Sequence, residues 1–194
     1  MLRTIALSDQ VSYPWFAPAG TRRGGITNAT STGYVNAEGE FVAVALNEGQ
    51  RDTLYDLKVN PITFFNGVGL VNYGQKTRAR NASALDRINV ARLVAYLRER
   101  FDEIARPFLF EQNDAQTRAR AKQVFERFLA DILSRRGVTD FAVVCDQTNN
   151  TSQVIDSNRF VADIFIKPAR SINFITLNFV ATRTGVDFSE ISGV

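Results

Sequence analysis

The chain has 194 residues, 45% of them hydrophobic and 22% charged, which suits one domain or one domain with a small appendage and suffices to bury roughly 70% of the unfolded surface. Its formal charge is +3, carried by nineteen Arg and four Lys against 20 acidic residues, and Arg suits both protein carboxylates and phosphates as partners. With no His and one Cys, it is excluded from Ser-His-Asp and Cys-His catalysis, from an internal disulfide and from a thiolate metal cluster. No apolar run reaches the ~18 residues of a membrane span and the first residues lack a signal-peptide core, so no membrane insertion and synthesis in a reducing cytoplasm are expected.

Residues 1–46 read as a loop-rich N-terminal segment. Pro14 and Pro18 flank Trp15 and Phe16, fixing an extended stretch whose aromatic rings are expected to pack on the body. Residues 40–46 read as a short strand. Residues 48–58 read as a short helix, with Leu54 and Leu57 inward and Asn60-Pro61 as its stop. Residues 62–65 and 69–73 follow as short strands around the Asn66-Gly67 turn. Gly67-Val-Gly69 opens like a dinucleotide loop, but Asn72 stands where the third Gly is required, so it reads as a turn.

Two amphipathic helices dominate the middle. Ser83-Ala-Leu-Asp86 has the form of a capping box, with Asp in the usual place of Glu or Gln. Behind it Val90, Leu93, Val94, Leu97, Phe101 and Ile104 recur at helical spacing until Pro107, and Arg87, Arg92, Arg98 and Arg100 lie mostly off that stripe. Asn113 or Asp114 caps a second helix striped by Ala121, Val124, Phe125, Phe128, Ile132 and Leu133. Arg135 and Arg136 suit its last turn and Gly137 its stop.

Residues 140–146 read as a strand whose continuous apolar interior suggests a central position, with Cys145 a buried thiol rather than a nucleophile. Residues 148–151 read as a turn, 157–163 as opening with a helical turn, and 162–167 as a strand ending at Pro168. Asp140 and Asp146 read as end caps and turn formers, and Asp163 as pairing with an Arg or facing an interface. Residues 171–183 then return as one long antiparallel strand, broken by Gly185. The run Val186, Asp187, Phe188, Ser189, Glu190 and Ile191 follows with little room for a tight reversal. Such a strand is expected to add to a neighbour's sheet, the plain alternatives being a frayed terminus or a strand folded onto its own sheet. The fold class is α/β (α+β): a mixed sheet covered by two main helices, with residues 1–46 packing on a core domain of residues 47–185 and residues 186–194 as a C-terminal arm.

Several blocks in combination carry a resemblance. They are Pro14-Trp-Phe-Ala-Pro-Ala-Gly20, Asn60-Pro61-Ile62, Ala84-Leu-Asp-Arg-Ile-Asn-Val-Ala-Arg92, Phe108-Leu-Phe-Glu-Gln-Asn-Asp114 and Arg135-Arg136-Gly137. The strongest are Val144-Cys-Asp-Gln-Thr-Asn-Asn-Thr151 and Phe160-Val-Ala-Asp-Ile-Phe-Ile-Lys-Pro-Ala-Arg-Ser-Ile-Asn173. Over residues 14–191 the chain resembles the C-terminal part of bacteriophage contractile tail sheath proteins. That resemblance implies a handshake-like core in the inner layer of the sheath, beside the tail tube, with arms that add strands to adjacent subunits. It implies no enzyme and no cofactor or metal. The implied partners are other sheath subunits in a helical homo-oligomer, the tail tube protein, and the baseplate and tail terminator proteins. The implied place is the virion tail sheath, assembled in the host cytoplasm, where contraction drives the tube through the host envelope and ejects the genome. Family members carry an N-terminal arm and outward domains before the Pro-Trp segment, so this chain is expected to be a fragment, an engineered piece or a split gene product.

Inner placement makes Arg118, Arg120, Lys122 and Arg127 candidate contacts for acidic groups on the tube. The bland alternative is a solvated helix face with Glu126 and Asp131 as local partners. A sheath subunit of a bacteriocin or secretion-type contractile injection system fits the same residues. A nucleic-acid-binding module using the Arg surface is the reading from another class; it would require steep salt dependence and has no aromatic-basic motif behind it.

Overall fold

The computed structural model describes residues 1–81, 83–173, 175 and 177. Its first element is a helix, α1 (Leu2–Val11), where the sequence reading expects loop. The reason lies in its inner face, which is built from Thr4 and Ser8, both fully buried, while Leu2 and Val11 are exposed. The Thr4 hydroxyl donates to the Met1 carbonyl at 2.7 Å, so small polar side chains pack inward without an apolar stripe to announce the helix. Arg3 donates to the Thr27 hydroxyl at 2.9 Å.

The Pro-Trp segment packs as expected. Trp15 is 5% exposed, stacks on Tyr13 at 4.8 Å and meets Tyr96 edge-on at 5.7 Å. After a short helix, α2 (Gly20–Arg23), come strands β1 (Gly25–Ile26), β2 (Gly33–Val35) and β3 (Phe41–Ala43), the last two forming a hairpin. Helix α3 (Glu48–Asp56) opens on a complete capping box between Asn47 and Gln50. Leu57 falls beyond its last turn and is exposed, not inward.

Strands β4 (Ile62–Phe65) and β5 (Gly69–Asn72) pair antiparallel, and β1 adds to the far side of β5 in the order β1-β5-β4. Asn72 is a clasp in that sheet. Its side-chain amide donates to the Pro18 carbonyl at 2.8 Å and its backbone N–H to the Gly24 carbonyl at 2.8 Å, fastening the Pro-Trp segment to β5.

Ser83 caps a single 3-10 turn, Ala84–Asp86, and helix α4 (Ile88–Ala105) starts only afterwards. The Ile88 N–H donates to the Gln75 carbonyl and the Thr77 N–H to the Asp86 carbonyl, which draws Arg87 into extended backbone and stops the capping-box helix early. Helix α5 (Ala115–Ser134) is capped by the Asp114 carboxylate, which accepts from the Thr117 N–H at 2.7 Å. Its buried stripe is Arg118, Ala121, Phe125, Leu129 and Ile132, whereas Val124 and Leu133 are exposed. Val124 and Leu133 fall on opposite flanks of it, so the buried stripe is narrower than expected, and it includes Arg118 and Leu129.

Helix α5 ends in a Schellman motif: the Gly137 N–H donates to the Ile132 carbonyl and the Arg136 N–H to that of Leu133, each at 2.9 Å. Arg136, at φ 63°, holds the left-handed position that glycine usually takes. Gly137 serves for closeness instead, because an added Cβ would lie 2.6 Å from Ile132 Cγ2 and 3.1 Å from the Trp15 ring.

Strand β6 (Val138–Val144) follows directly, then helix α6 (Ser152–Asp156), earlier than the helical turn expected at 157, and strand β7 (Asp163–Pro168). Strands β6 and β7 pair antiparallel, with a register irregularity between Val138 and Asp140. The class is α+β. Among the described residues every strand pairing is antiparallel and the sheets are three and small, where one mixed sheet was expected. Burial strictly alternates along β7, the pattern of a strand covered on one face, and among the described residues β6 has β7 along one edge, where a central position was expected. The core joins Trp15, Leu93 and Leu97 of α4, the α5 stripe, and Val138 and Val143 of β6. Residues 171–173, 175 and 177 carry no strand, and the rest of the strand expected at 171–183 lies outside the described residues. So does the arm expected at 186–191.

Gly137→Ala should lower stability by about 1–3 kcal/mol through overpacking against Ile132 and Trp15. Arg136→Gly should leave it unchanged or raise it by up to about 1 kcal/mol by relieving the left-handed backbone. Urea unfolding midpoints measure both.

Candidate assembly surface

Helix α4 packs on α5 and only partly over the inner face of β7. A groove of about 390 Å³ remains, lined by Val94, Leu97, Phe101 and Asp102 of α4 and by Ile164 and Ile166 of β7. Its apolar walls are half-buried β7 side chains and the free flank of the α4 stripe, since Phe101 turns its other edges onto Phe125 and Phe128. On the opposite face of the strand Phe165 is exposed. Further apolar side chains on a strand laid beside the β6–β7 sheet would fill this slot.

The end of that sheet is a rigid polar corner. The Asp146 carboxylate accepts from the Thr148 hydroxyl and from its N–H, and the two hold its carboxyl below the usual 3.8. Buried Asn150 donates to the Val161 carbonyl and accepts from the Val161 N–H, each at 2.8 Å. Asn149 donates to the Val144 carbonyl at 2.8 Å and to the Asp163 carboxylate at 3.0 Å. Among the described residues Asp163 thus pairs with an amide rather than an Arg. Asp140 lies on the exposed side, where its bond to Lys167, 2.7 Å long, depresses its carboxyl and raises the ammonium. Cys145 is buried, and burial pushes its thiol up, away from the thiolate a nucleophile needs.

The four basic residues expected to face a tube do not share one patch. Arg118 is 6% exposed, and its guanidinium donates to the Asn113 carbonyl at 2.9 Å and the Asn113 side chain at 3.0 Å. It is a clamp on the start of α5, which corrects its reading as a free contact. Lys122, one turn on, sits beside Glu126 at 3.9 Å. Arg120 and Arg127 are exposed and, seven residues apart on a helix, lie together on the side away from the buried stripe. Asp131 pairs with Arg135 at 2.9 Å rather than with this face.

Sequence reasoning misses a second opening, of about 380 Å³, where Arg23, Arg136 and Arg170 converge near Trp15 and Asn89. Those three residues come from α2, the end of α5 and the turn after β7, so no local spacing links them. Burial and neighbouring Arg22 push the Arg23 guanidinium down. Among the described residues no group of three metal-ligating side chains forms a metal site, and no helix is long and apolar enough to cross a membrane.

Residues 80–182 match the family model for the phage tail sheath C-terminal domain. The chain is 49% identical over 188 residues to the tail sheath protein of Vibrio phage KVP40 and 43% identical over 189 residues to that of Enterobacteria phage T4, with 97% of this chain aligned in each case. It spans about a quarter of the length of these relatives, 26% and 27%. Its fold resembles a chain in the cryo-EM structure of the anti-feeding prophage baseplate, with a TM-score of 0.77 at 20% identity over 93% of this chain and 48% of that one. It also resembles one in the PVC sheath complex of an extracellular contractile injection system in the contracted state, with a TM-score of 0.75 at 18% identity over 92% and 49%.

Asp114, Asp140 and Asp146 all have carboxyls held below their ordinary range when folded. The stability they add is complete above the unfolded carboxylate value near 4 and is lost as pH falls through the lower folded values. The unfolding midpoint should therefore hold from neutral pH to about 5 and drop below about 4. Asp146→Asn should show a shallower drop in the same pH-dependent denaturation series.

Proposed function

This chain belongs to the phage tail sheath C-terminal domain family, and from that premise we propose that it is a structural subunit of a contractile phage tail sheath. On this reading copies polymerise around the tail tube in the virion and move largely as rigid bodies into a shorter, wider lattice. The movement drives the tube through the host envelope. The work is mechanical, with energy stored in interfaces rather than supplied by an enzymatic step, and the baseplate and tail terminator bound the lattice at its two ends. A phage sheath is favoured over the sheath of another contractile injection system by the 49% and 43% identities to phage proteins, against about 20% to the injection-system chains.

The observation that carries this reading is that, among the described residues, the β6–β7 sheet has two strands and stands beside an apolar groove. It suits an extra strand supplied by a neighbour's arm, with backbone bonds giving affinity and alternate side chains seated in the groove. We assign residues 186–191 as the strand one copy donates. Five or six backbone hydrogen bonds, at roughly 0.5–1.5 kcal/mol net each, contribute about 3–8 kcal/mol, against an association cost of about 4–15 kcal/mol. One arm is thus a weak link between free monomers, and many arms in a lattice reinforce one another through effective concentration. The basic contact to the tube reduces to the exposed pair Arg120 and Arg127, since Arg118 is buried and Lys122 lies on a different side of the helix.

Removing residues 186–194 should leave the unfolding midpoint of the domain unchanged and abolish or shorten the polymers that the untruncated chain is expected to form in electron micrographs. Sheaths of normal length from the truncated protein would remove the arm's role. Arg120→Glu with Arg127→Glu should weaken tube binding by about tenfold or more, chiefly at low salt. Tube co-sedimentation equal to that of the parent protein at every salt concentration would place the tube against a different face.

A further inference from the structure

The Arg-lined opening and the β2–β3 hairpin are the two surface features that the strand-exchange reading leaves unused. Arg23, Arg136 and Arg170 line the opening together with Asn89, Thr139 and Ser171. Among the described residues Arg136 and Arg170 have no ion pair, and Arg23 spends its Nε on the Ala17 carbonyl at 3.1 Å. The opening thus presents guanidinium groups without negative charge, beside apolar rim surface at Leu133. A free inorganic anion would meet only the charge. A peptide segment carrying carboxylates next to apolar side chains would meet both.

The chain contains such a segment. The hairpin turn runs Asn36-Ala37-Glu38-Gly39-Glu40, closed by the Asn36 N–H on the Glu40 carbonyl at 2.9 Å and the Gly39 N–H on the Asn36 carbonyl at 3.1 Å. The Glu40 N–H is taken by the Asn36 side chain at 2.8 Å. Among the described residues neither Glu38 nor Glu40 has a cationic partner. Behind the tip Val35 and Phe41 pair across the strands, and both are exposed. No other described element packs substantially on this hairpin. The rim of the opening offers matching apolar surface in Phe16 and half-exposed Leu133.

We propose that the β2–β3 hairpin of one copy docks its Glu38–Glu40 tip into the Arg23–Arg136–Arg170 opening of a second copy. The carboxylates meet the guanidinium groups, and Val35 and Phe41 cover Leu133 and Phe16. The contact is heterologous: donor and acceptor are different patches, so it propagates from copy to copy rather than closing a dimer. It rests on the sheath reading only for the premise that copies of the chain meet, and it is a side-chain contact separate from strand exchange.

The test mixes chains carrying Ala37→Cys with chains carrying Thr139→Cys and adds a short bismaleimide; native Cys145 is buried and stays out of reach. Cross-linked heterodimer should form from the mixture, and Ala37→Cys chains alone should give none. Glu38→Arg with Glu40→Arg on the first chain should cut the yield at least tenfold. Adding Arg136→Glu with Arg170→Glu to the second chain should restore most of it. Absence of heterodimer, or a yield indifferent to these reversals, overturns the contact. So does a yield abolished by millimolar inorganic phosphate yet unaffected by Glu38→Arg, which assigns the opening to a free anion. Polymers of the untruncated chain without the cross-link sink this contact alone, and the charge-dependent cross-link in a protein that never polymerises sinks the sheath reading alone.

Discussion

Gly137 is the point at which three segments far apart in sequence meet, and the fold depends on how little space it takes. Its N–H closes helix α5 on the Ile132 carbonyl, and its carbonyl accepts from the Ala169 N–H at the end of β7. Its Cα faces the Trp15 ring, with no room for a methyl group between the ring and Ile132. The Trp15 indole N–H donates to the Arg135 carbonyl at 3.0 Å, two residues earlier, so the ring is held by a bond as well as by packing. Helix end, strand start, sheet end and N-terminal segment are therefore set by one close approach. Displacing Trp15 would uncover the α5 stripe and loosen the register of β6 against β7 together.

What the sequence revealed follows from which signals are local. The apolar stripe of α4 and the β4–β5 hairpin were legible because period and turn chemistry lie within a few residues, and Asp114 as a cap needs only its own helix start. Helix α1 was illegible because its inward residues, Thr4 and Ser8, are small and polar. The late start of α4 depends on hydrogen bonds from residues 75–77, which no capping-box pattern contains. Arg118 looked like a surface charge because burial of a guanidinium is decided by Asn113 folding back over it. The Arg opening was invisible because three cations from unlinked segments converge only in the folded chain.

Amide side chains do much of the joining where sheets are small. Asn60 donates to the Lys76 carbonyl at 2.9 Å and accepts from the Lys76 N–H at 2.8 Å, standing in for a neighbouring strand. Asn72 ties β5 to the Pro-Trp segment, and Asn150 ties the corner after β6 to the approach of β7. Gln75 donates to the Ser171 hydroxyl and to the Asn173 side chain, holding the chain as it leaves the β6–β7 sheet. An amide offers a donor and an acceptor on a short stem, so it can replace one rung of a ladder where strands are too short to continue. Such ties fix irregular segments without a large sheet.

That rigidity bears on the surface the protein exposes. Phe110 is fully exposed, and its backbone sits at φ 69°, a conformation that costs a bulky residue about 1–2 kcal/mol. Leu109 beside it, Phe64, Phe165 and the β2–β3 hairpin also show apolar side chains to solvent. A monomer gains nothing from holding a strained Phe outward, and a flexible one would let it fold back. A bulky side chain held outward by its own backbone conformation keeps a position that a neighbouring copy can meet without reorganisation, so association need not order it first. On the proposed sheath reading, in which the subunit moves as a rigid body between lattice states, that property lets its interfaces exchange partners while its interior stays the same.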